Sequence, residues 1–394
     1  MILKLFFWLL LFLLFYTFVG YALVLYVAVQ LRKLFLGKKK KSTNDYEPEV
    51  CLFVTAYNEK DYVEQKVENS FQLDYPKNKV QYIWVTDGSD DGTPEILKNY
   101  SNLEVYHQPE RRGKMNAMNR GMQFVKAPIV IFSDTNTLLS KNTVRSIVAE
   151  FANPKTGCVA GEKRIIEKPS DAAAAAGEGL YWKFESWVKK LDAELNSAVG
   201  AVGELFAIRT ELFEEVETDT ILDDFIISLR IALRGYKISY TPDAYAEETA
   251  SLNVKEELKR KIRIAAGGIQ ALFRLKPLLN PFRFGVLSWQ YVSHKVLRWT
   301  IAPLSLFLLF VFNAFIVWQN NAWSQPDFYT LFFWFQVLCY LLAAIGWYFE
   351  NRKIRFKLLF IPYYFLSINY AALRGILRYF RGGQPAGWEK SKRA

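Results

Sequence analysis

From Leu5 to Gln30 the chain carries no charged residue, a run longer than the roughly 20 apolar residues needed to cross the hydrocarbon of a bilayer. That run constrains the rest of the fold. Inside lipid it must be helical, because only a helix satisfies its own backbone groups there. A cleaved signal peptide is the alternative, but the stretch is too long and no small-residue cleavage site precedes the lysines that follow. Arg32, Lys33 and the run Lys38 to Lys41 come directly after it, whereas only Lys4 precedes it. Basic flanks stay on the cytoplasmic side and attract anionic lipid. Residues 1–31 therefore read as a transmembrane helix with its N-terminus outside, and 32–44 as a basic juxtamembrane linker lying against the lipid bilayer.

This clustering also explains the net charge of +11. The basic residues gather beside an apolar segment and form no stripe of the kind nucleic acid requires, so no nucleic-acid partner is expected. A mean hydropathy of +0.02 with 16% aromatic residues suits a chain that is part membrane and part water-exposed domain. Cys51, Cys158 and Cys339 show no paired spacing, which argues against a disulfide framework and is compatible with a reducing compartment. With only His107 and His294 available, an imidazole-rich zinc site is excluded, and any catalytic metal must be a hard cation on oxygen ligands.

Residues 45–280 read as an α/β domain. Val50–Thr55, Val80–Thr86 and Ile129–Phe132 are continuous apolar runs, the signature of strands buried on both faces. Helix-like stretches separate them, at Tyr62–Phe71 and Pro94–Tyr100. Such alternation gives a mostly parallel sheet whose ligands bind beyond the C-terminal strand ends. The polar motifs lie at those ends: Thr55-Ala56-Tyr57-Asn58-Glu59, Asp87-Gly88-Ser89-Asp90-Asp91-Gly92-Thr93 and Ser133-Asp134-Thr135-Asn136. Two further motifs, Leu222-Asp223-Asp224-Phe225, which opens a helix, and Arg260-Lys261-Ile262-Arg263-Ile264, likewise follow a strand or precede a helix. Carboxylates at strand ends followed by basic groups suit a metal-bound, diphosphate-bearing ligand. Alternation along an extended strand would point Asp134 and Asn136 the same way, toward one cation.

Residues 281–394 return to the membrane. Phe284–Arg298, with Trp289, Tyr291, His294 and Lys295, reads as an interfacial helix facing lipid headgroups. Trp299–Trp318 and Phe328–Tyr348 are long and apolar enough to span. The segment Leu358–Leu373 is short and interrupted by Pro362 and Asn369; it reads as a re-entrant or interfacial fourth helix, with crossing the alternative. A basic tail follows.

These motifs together resemble the membrane-bound family 2 glycosyltransferases, related to the synthases of cellulose, hyaluronan and poly-N-acetylglucosamine. The similarity extends from the first span to Gln384-Pro385-Ala386-Gly387-Trp388-Glu389-Lys390. It implies a GT-A-type nucleotide-sugar-binding domain flanked by transmembrane helices, in the cell (inner) membrane as a multi-pass protein with the domain cytoplasmic. It further implies inverting transfer from a nucleotide-diphosphate sugar, with a UDP-sugar as expected donor, assisted by Mg²⁺ or Mn²⁺. The acceptor would be a growing surface polysaccharide or a lipid-linked glycan, with an export partner possible.

Carried onto this sequence, the resemblance assigns the nucleotide-sugar to Thr55, Tyr57, Glu59, Asp87, Lys114, Asp134, Arg260 and Arg263, the metal to Asp134 and Asn136, and the general base to Asp224. Asp223 beside it serves mainly as a helix cap. Two departures stand out. The second acid of Asp-x-Asp is Asn136, a weaker ligand. The Gln-x-x-Arg-Trp signature of processive enzymes is Arg260-Lys261-Ile262-Arg263-Ile264, without the Trp that helps hold the acceptor. Single-sugar transfer to a polyprenyl or lipid acceptor is therefore an alternative, as is a catalytically silent nucleotide-sugar-binding subunit. The aromatic stripe Tyr181, Trp182 and Trp187 reads as core packing before it reads as a sugar platform.

Overall fold

The computed structural model describes residues 1–37, 46–166, 172–249, 254–320, 323, 327–351 and 357–382. The run Lys38 to Lys41, most of the basic segment before Lys357 and the tail motif Gln384–Lys390 lie outside the described residues.

The chain begins with α1 (Ile2–Phe15) and α2 (Tyr21–Leu36), joined by a π-turn at Tyr16–Gly20 into one continuous apolar helix of 35 residues. The domain then alternates β1 (Val50–Ala56), α3 (Lys60–Phe71), β2 (Val80–Asp87), α4 (Thr93–Lys98), β3 (Glu104–Gln108), α5 (Lys114–Met122) and β4 (Ile129–Asp134). After the short β5 (Leu138–Leu139) come α6 (Thr143–Phe151), β6 (Thr156–Ile166), the long α7 (Ala172–Leu195), β7 (Leu205–Arg209), α8 (Asp223–Leu233), β8 (Lys237–Thr249) and α9 (Val254–Arg274). Three short helices, α10 (Pro281–Phe284), α11 (Val286–Tyr291) and α12 (Leu297–Trp299), lead into α13 (Ile301–Gln319), α14 (Phe328–Asn351) and α15 (Lys357–Phe380).

The eight strands form one sheet in the order β3-β2-β1-β4-β7-β6-β8-β5. β3, β2, β1 and β4 run parallel, while β7 is antiparallel to both its neighbours. The apolar runs become strands because both faces are covered. Cys51, Phe53, Ile83, Val85, Val130 and Phe132 enter one core, whereas Val50, Leu52, Val54, Trp84, Ile129 and Ile131 enter the other. Strand order reverses at β1, where Thr55 pairs in register with Asp134. A crevice beyond the strand ends opens at such a point.

Three helices are long and apolar enough to cross a membrane: Ile2–Leu36, Ile301–Gln319 and Phe328–Phe349. Two further stretches pack against the domain and these helices. Within 284–298, Tyr291 and His294 are fully buried, and a π-turn at Val292–Val296 places His294 between two carboxylates of α7. The last segment is a single helix, α15, kept continuous through Pro362 and packed along α9 and α14. Gly375 permits that packing: a Cβ there would sit 2.5 Å from the Ala265 methyl and 2.8 Å from the Ala266 amide nitrogen.

Backbone atoms cannot retreat as a side chain can, so Gly375→Val forces α15 off α9. We expect it to cost about 1–3 kcal/mol, the usual penalty of overpacking, and to lower the melting temperature of the protein in detergent. An unchanged melting curve would show that α15 does not depend on this contact.

Candidate active site

The site is assembled from the ends of β2 and β4 and the starts of α5 and α8. Asp87 closes β2 with its carboxylate buried. It accepts from the amide of Arg112 at 3.1 Å and of Gly113 at 2.7 Å. Gly88 makes this possible, with φ of 68° and the Arg111 backbone within 2.8 Å of where a Cβ would stand. The clamp fixes the loop that begins α5, and so the first residue of that helix, Lys114. Its ammonium bridges Asp134 at the end of β4 and Asp223 at the start of α8, each at 3.0 Å. Burial would depress that lysine, but the two carboxylates outweigh it and hold it above the usual lysine range.

Asp224 follows on the first turn of α8. Burial pushes its carboxyl up to about 7, the charges of Asp223 and Glu204 add to the rise, and Lys114 opposes it. Glu204 itself lies below the ordinary carboxylate range. Burial would raise it, but the charge and hydrogen bond of Lys163 prevail. Lys163 also pairs with Glu248, whose other oxygen accepts from the Asn136 amide at 3.0 Å.

A cavity of about 440 Å³ lies over these groups, within the range of small-molecule sites. Glu59, Lys114, Asp134, Asn136, Asp224, Arg260 and Arg263 line it. Three other expected residues do not. Thr55 borders a small recess beside Lys114, Asp134 and Asp223. Tyr57 packs under the Arg111 guanidinium, 4.0 Å from its ring centre. Asp87 is turned to the backbone of the α5 loop, which it clamps. Arg260 lines the cavity yet is held by Glu257 through hydrogen bonds of 2.9 and 3.0 Å. Asn136 stands in a turn beyond β4, so strand alternation is not what brings it beside Asp134.

Several cavity residues escaped the sequence. The aromatic face of α7 is not merely core: Tyr181 and Trp182 line the cavity, and so does Trp299. Lys261 lies 4.2 Å over the Tyr181 ring. Trp299 sits against Gly268 and meets Phe225 edge-on at 5.2 Å. Glu185, Lys189 and Lys295 complete the far wall. The helical spacing of Trp182, Glu185 and Lys189 was the signal available for α7.

Among the described residues, no group of three or more His, Cys, Asp or Glu side chains could hold a metal ion. Of the residues expected to hold a metal, the carboxylate of Asp134 and the amide of Asn136 both line the cavity. That set fits a hard cation that takes most of its oxygens from a ligand's phosphates.

Residues 51–217 match the sequence profile of Glycosyl transferase family 2. The chain is thus similar to family 2 glycosyltransferases over much of its α/β domain. It is 28% identical over 249 residues to a poly-beta-1,6-N-acetyl-D-glucosamine synthase of Staphylococcus aureus (strain MSSA476), an alignment covering 61% of this chain and 59% of that protein. The synthase of the same name from Staphylococcus epidermidis is 25% identical over 304 residues, covering 74% of this chain and 72% of the relative. In three dimensions the chain superposes on a mannosyltransferase from Pyrobaculum calidifontis in complex with GDP-Man and Mn²⁺. The TM-score is 0.70 at 20% identity, over 96% of this chain and all of that one. The fold is GT-A, and the α/β domain is set among helices able to span a membrane.

The clamp on the α5 loop is testable. Asp87→Ala leaves the buried Gly113 amide without its acceptor, a loss of about 1–3 kcal/mol. We expect a lower melting temperature together with a raised KM for the donor, because Lys114 loses its fixed start. A change in stability with an unchanged KM would separate Asp87 from ligand binding.

Proposed function

We propose that this glycosyltransferase is an inverting, membrane-integral enzyme that takes a sugar from a nucleoside diphosphate, a UDP-sugar being the expected donor. It passes the sugar to a surface polysaccharide or lipid-linked acceptor on the cytoplasmic face of the cell membrane. The observation that carries the reading is Asp224: a carboxyl poised near neutrality, on a cavity wall, beside a fixed ammonium and below an arginine. The names of the staphylococcal relatives support the polysaccharide arm. The basic residues after the first span support the orientation.

In this reading the donor's diphosphate lies at the start of α5, where the helix N-terminus and Lys114 favour anions, with Arg263 on the same cavity as a planar donor to phosphate oxygens. Asp134 and Asn136 would hold Mg²⁺ or Mn²⁺, which supplies positive charge to the phosphates when bound. The acceptor hydroxyl oxygen forms its bond to the anomeric carbon while its proton passes to Asp224. The bond from that carbon to the diphosphate breaks on the opposite face, and its electron pair stays on the phosphate oxygen. Lys114 and Arg263 stabilise the charge that arrives there. One attack from one face inverts the anomeric centre.

A second reading, addition of a single sugar to a polyprenyl or lipid acceptor, is favoured by Ile264 standing where processive relatives of this family place Trp. The length of the product distinguishes the two. A catalytically silent subunit would bind donor without turning it over.

The test is nucleoside diphosphate release by the purified protein in lipid nanodiscs with Mg²⁺ or Mn²⁺, across a panel of nucleotide-sugars. Asp224→Asn should lower kcat by about 10²–10⁴, the usual worth of a general base. The wild-type rate should rise with pH through about 7 as Asp224 ionises. Stability must move the other way. A folded value above the unfolded one of about 3.9 means that ionising Asp224 weakens the fold as pH rises toward 7. Asp224→Asn should therefore melt no lower than wild type at pH 8, and higher if the charge is the main strain. Full turnover in the variant would remove Asp224 from catalysis.

A further inference from the structure

The far wall of the cavity holds one group for which the proposed reaction has no task. Lys189, on α7, is only 6% exposed, yet among the described residues no carboxylate or hydrogen-bond acceptor engages its ammonium. Its recorded contact is the face of Trp182, 5.9 Å away. The cations around it are differently placed. Arg260 and Lys261 share Glu257, while Lys295 and Arg298 share Glu185. Burial is the main force that lowers Lys189, to about 8, and the nearby Lys295 charge adds to it. Burying an unpaired cation is costly, so a group on a cavity wall in this state is built for an anion that arrives with a ligand.

The position narrows what that ligand is. Glu185, Asp224 and Glu204 are close enough to attract Lys189 electrostatically, and the nearness of Asp224 would put the anion by the hydroxyl that Asp224 deprotonates. The donor's diphosphate has its own cations at Lys114 and Arg263. Lys295 and Trp299, on the same wall, lie just ahead of α13, which begins at Ile301 and is apolar enough to span a membrane. A ligand at this end stands at the foot of a membrane helix, which suits a headgroup on an apolar tail.

We propose that Lys189 seats a phosphate carried by the acceptor, adjacent to the hydroxyl that receives the sugar, so that the acceptor is a phosphate-bearing lipid. This deepens the functional reading above and rests on it for the word acceptor. The subsite itself is a binding claim that needs no turnover. Trp182 and Trp299 flank it as apolar surfaces for the part of the lipid nearest the phosphate.

The experiment measures binding of radiolabelled farnesyl phosphate to the full-length protein in phosphatidylcholine nanodiscs, without nucleotide-sugar. A charge-assisted contact is worth about 1.5–3 kcal/mol, so Lys189→Met should weaken binding by roughly tenfold to a hundredfold. Lys189→Arg should keep most of the affinity, and Lys98→Met, on exposed α4, should change nothing. Farnesol should not compete. Discs containing phosphatidylglycerol identify the source: competition by that lipid assigns the phosphate to bulk phospholipid, and its absence assigns it to an isoprenoid phosphate. Equal binding by wild type and Lys189→Met, displacement by farnesol, or no saturable binding to wild type would each overturn the proposal. Failure of donor turnover alone would strike the functional reading and leave this result standing.

Discussion

The site depends on one ammonium group held between two acids. Lys114 reaches Asp134 and Asp223 at 3.0 Å each, and so ties the end of β4 to the starts of α5 and α8. Taking one partner from a buried charge cluster is strongly destabilising, about 3–5 kcal/mol, because the remaining charges lose their compensation. Three acids, Asp134, Asp223 and Asp224, would otherwise crowd one pocket. The sequence prepares this arrangement locally. Gly113, at φ of 95°, turns the chain into α5, and the Asp87 clamp holds its two preceding amides. Fold and electrostatics are thus one construction.

A second buried acid joins that construction to the membrane helices. Asp192 of α7, fully buried, accepts from Tyr21 of the first membrane helix, from Gln290 at 3.0 Å, and shares a 2.7 Å hydrogen bond with His294. Glu185, one face along the same helix, takes Lys295, and Arg298 at 3.0 Å. The partners of these two acids come from α2, α11, the π-turn at Val292–Val296 and α12, so the register of α7 is set by groups on both sides of the seam. The same register places Trp182 and Lys189 on the cavity wall.

What could be read from the sequence follows from how local each signal is. Buried parallel strands announce themselves as unbroken apolar runs, and the acids at their ends stand out against them. Asp134 was legible as a cavity residue for that reason, and Asp224, Lys114 and Arg263 belong to short charged motifs that also reach the cavity wall. His294 was not, because an aromatic and basic stretch before a span has the composition of a headgroup-facing helix, and only the distant Asp192 and Glu185 draw it inward. The clamp that Asp87 places on the α5 loop was not legible either, since its hydrogen bonds go to amides 25 and 26 residues further on. Lys189 and Trp299 lie far apart in sequence on helices of ordinary pattern. Their shared wall exists only in the folded chain.

The charges of the cavity are sorted, and under the proposed reaction the sorting has a direction. Asp134, Asp223, Asp224, Glu204 and Glu248 gather around Lys114 on the side formed by the strand ends and α8, whereas Lys189, Arg260, Lys261, Arg263 and Lys295 come, with Glu185 among them, from α7, α9 and the turn before α12. As the acceptor loses its proton, Asp224 becomes neutral and negative charge appears on the departing diphosphate. Asp223 and Glu204 favour the first half of that movement, because their charges raise the Asp224 carboxyl toward protonation. Fixed cations favour the second half, since they are already oriented when the charge arrives and need no rearrangement. A carboxylate alone on this wall would be a poor base, and the cations without it would stabilise the donor as readily as its products. Placed on opposite sides, they lower the energy of transfer more than that of either bound ligand, which is what catalysis requires.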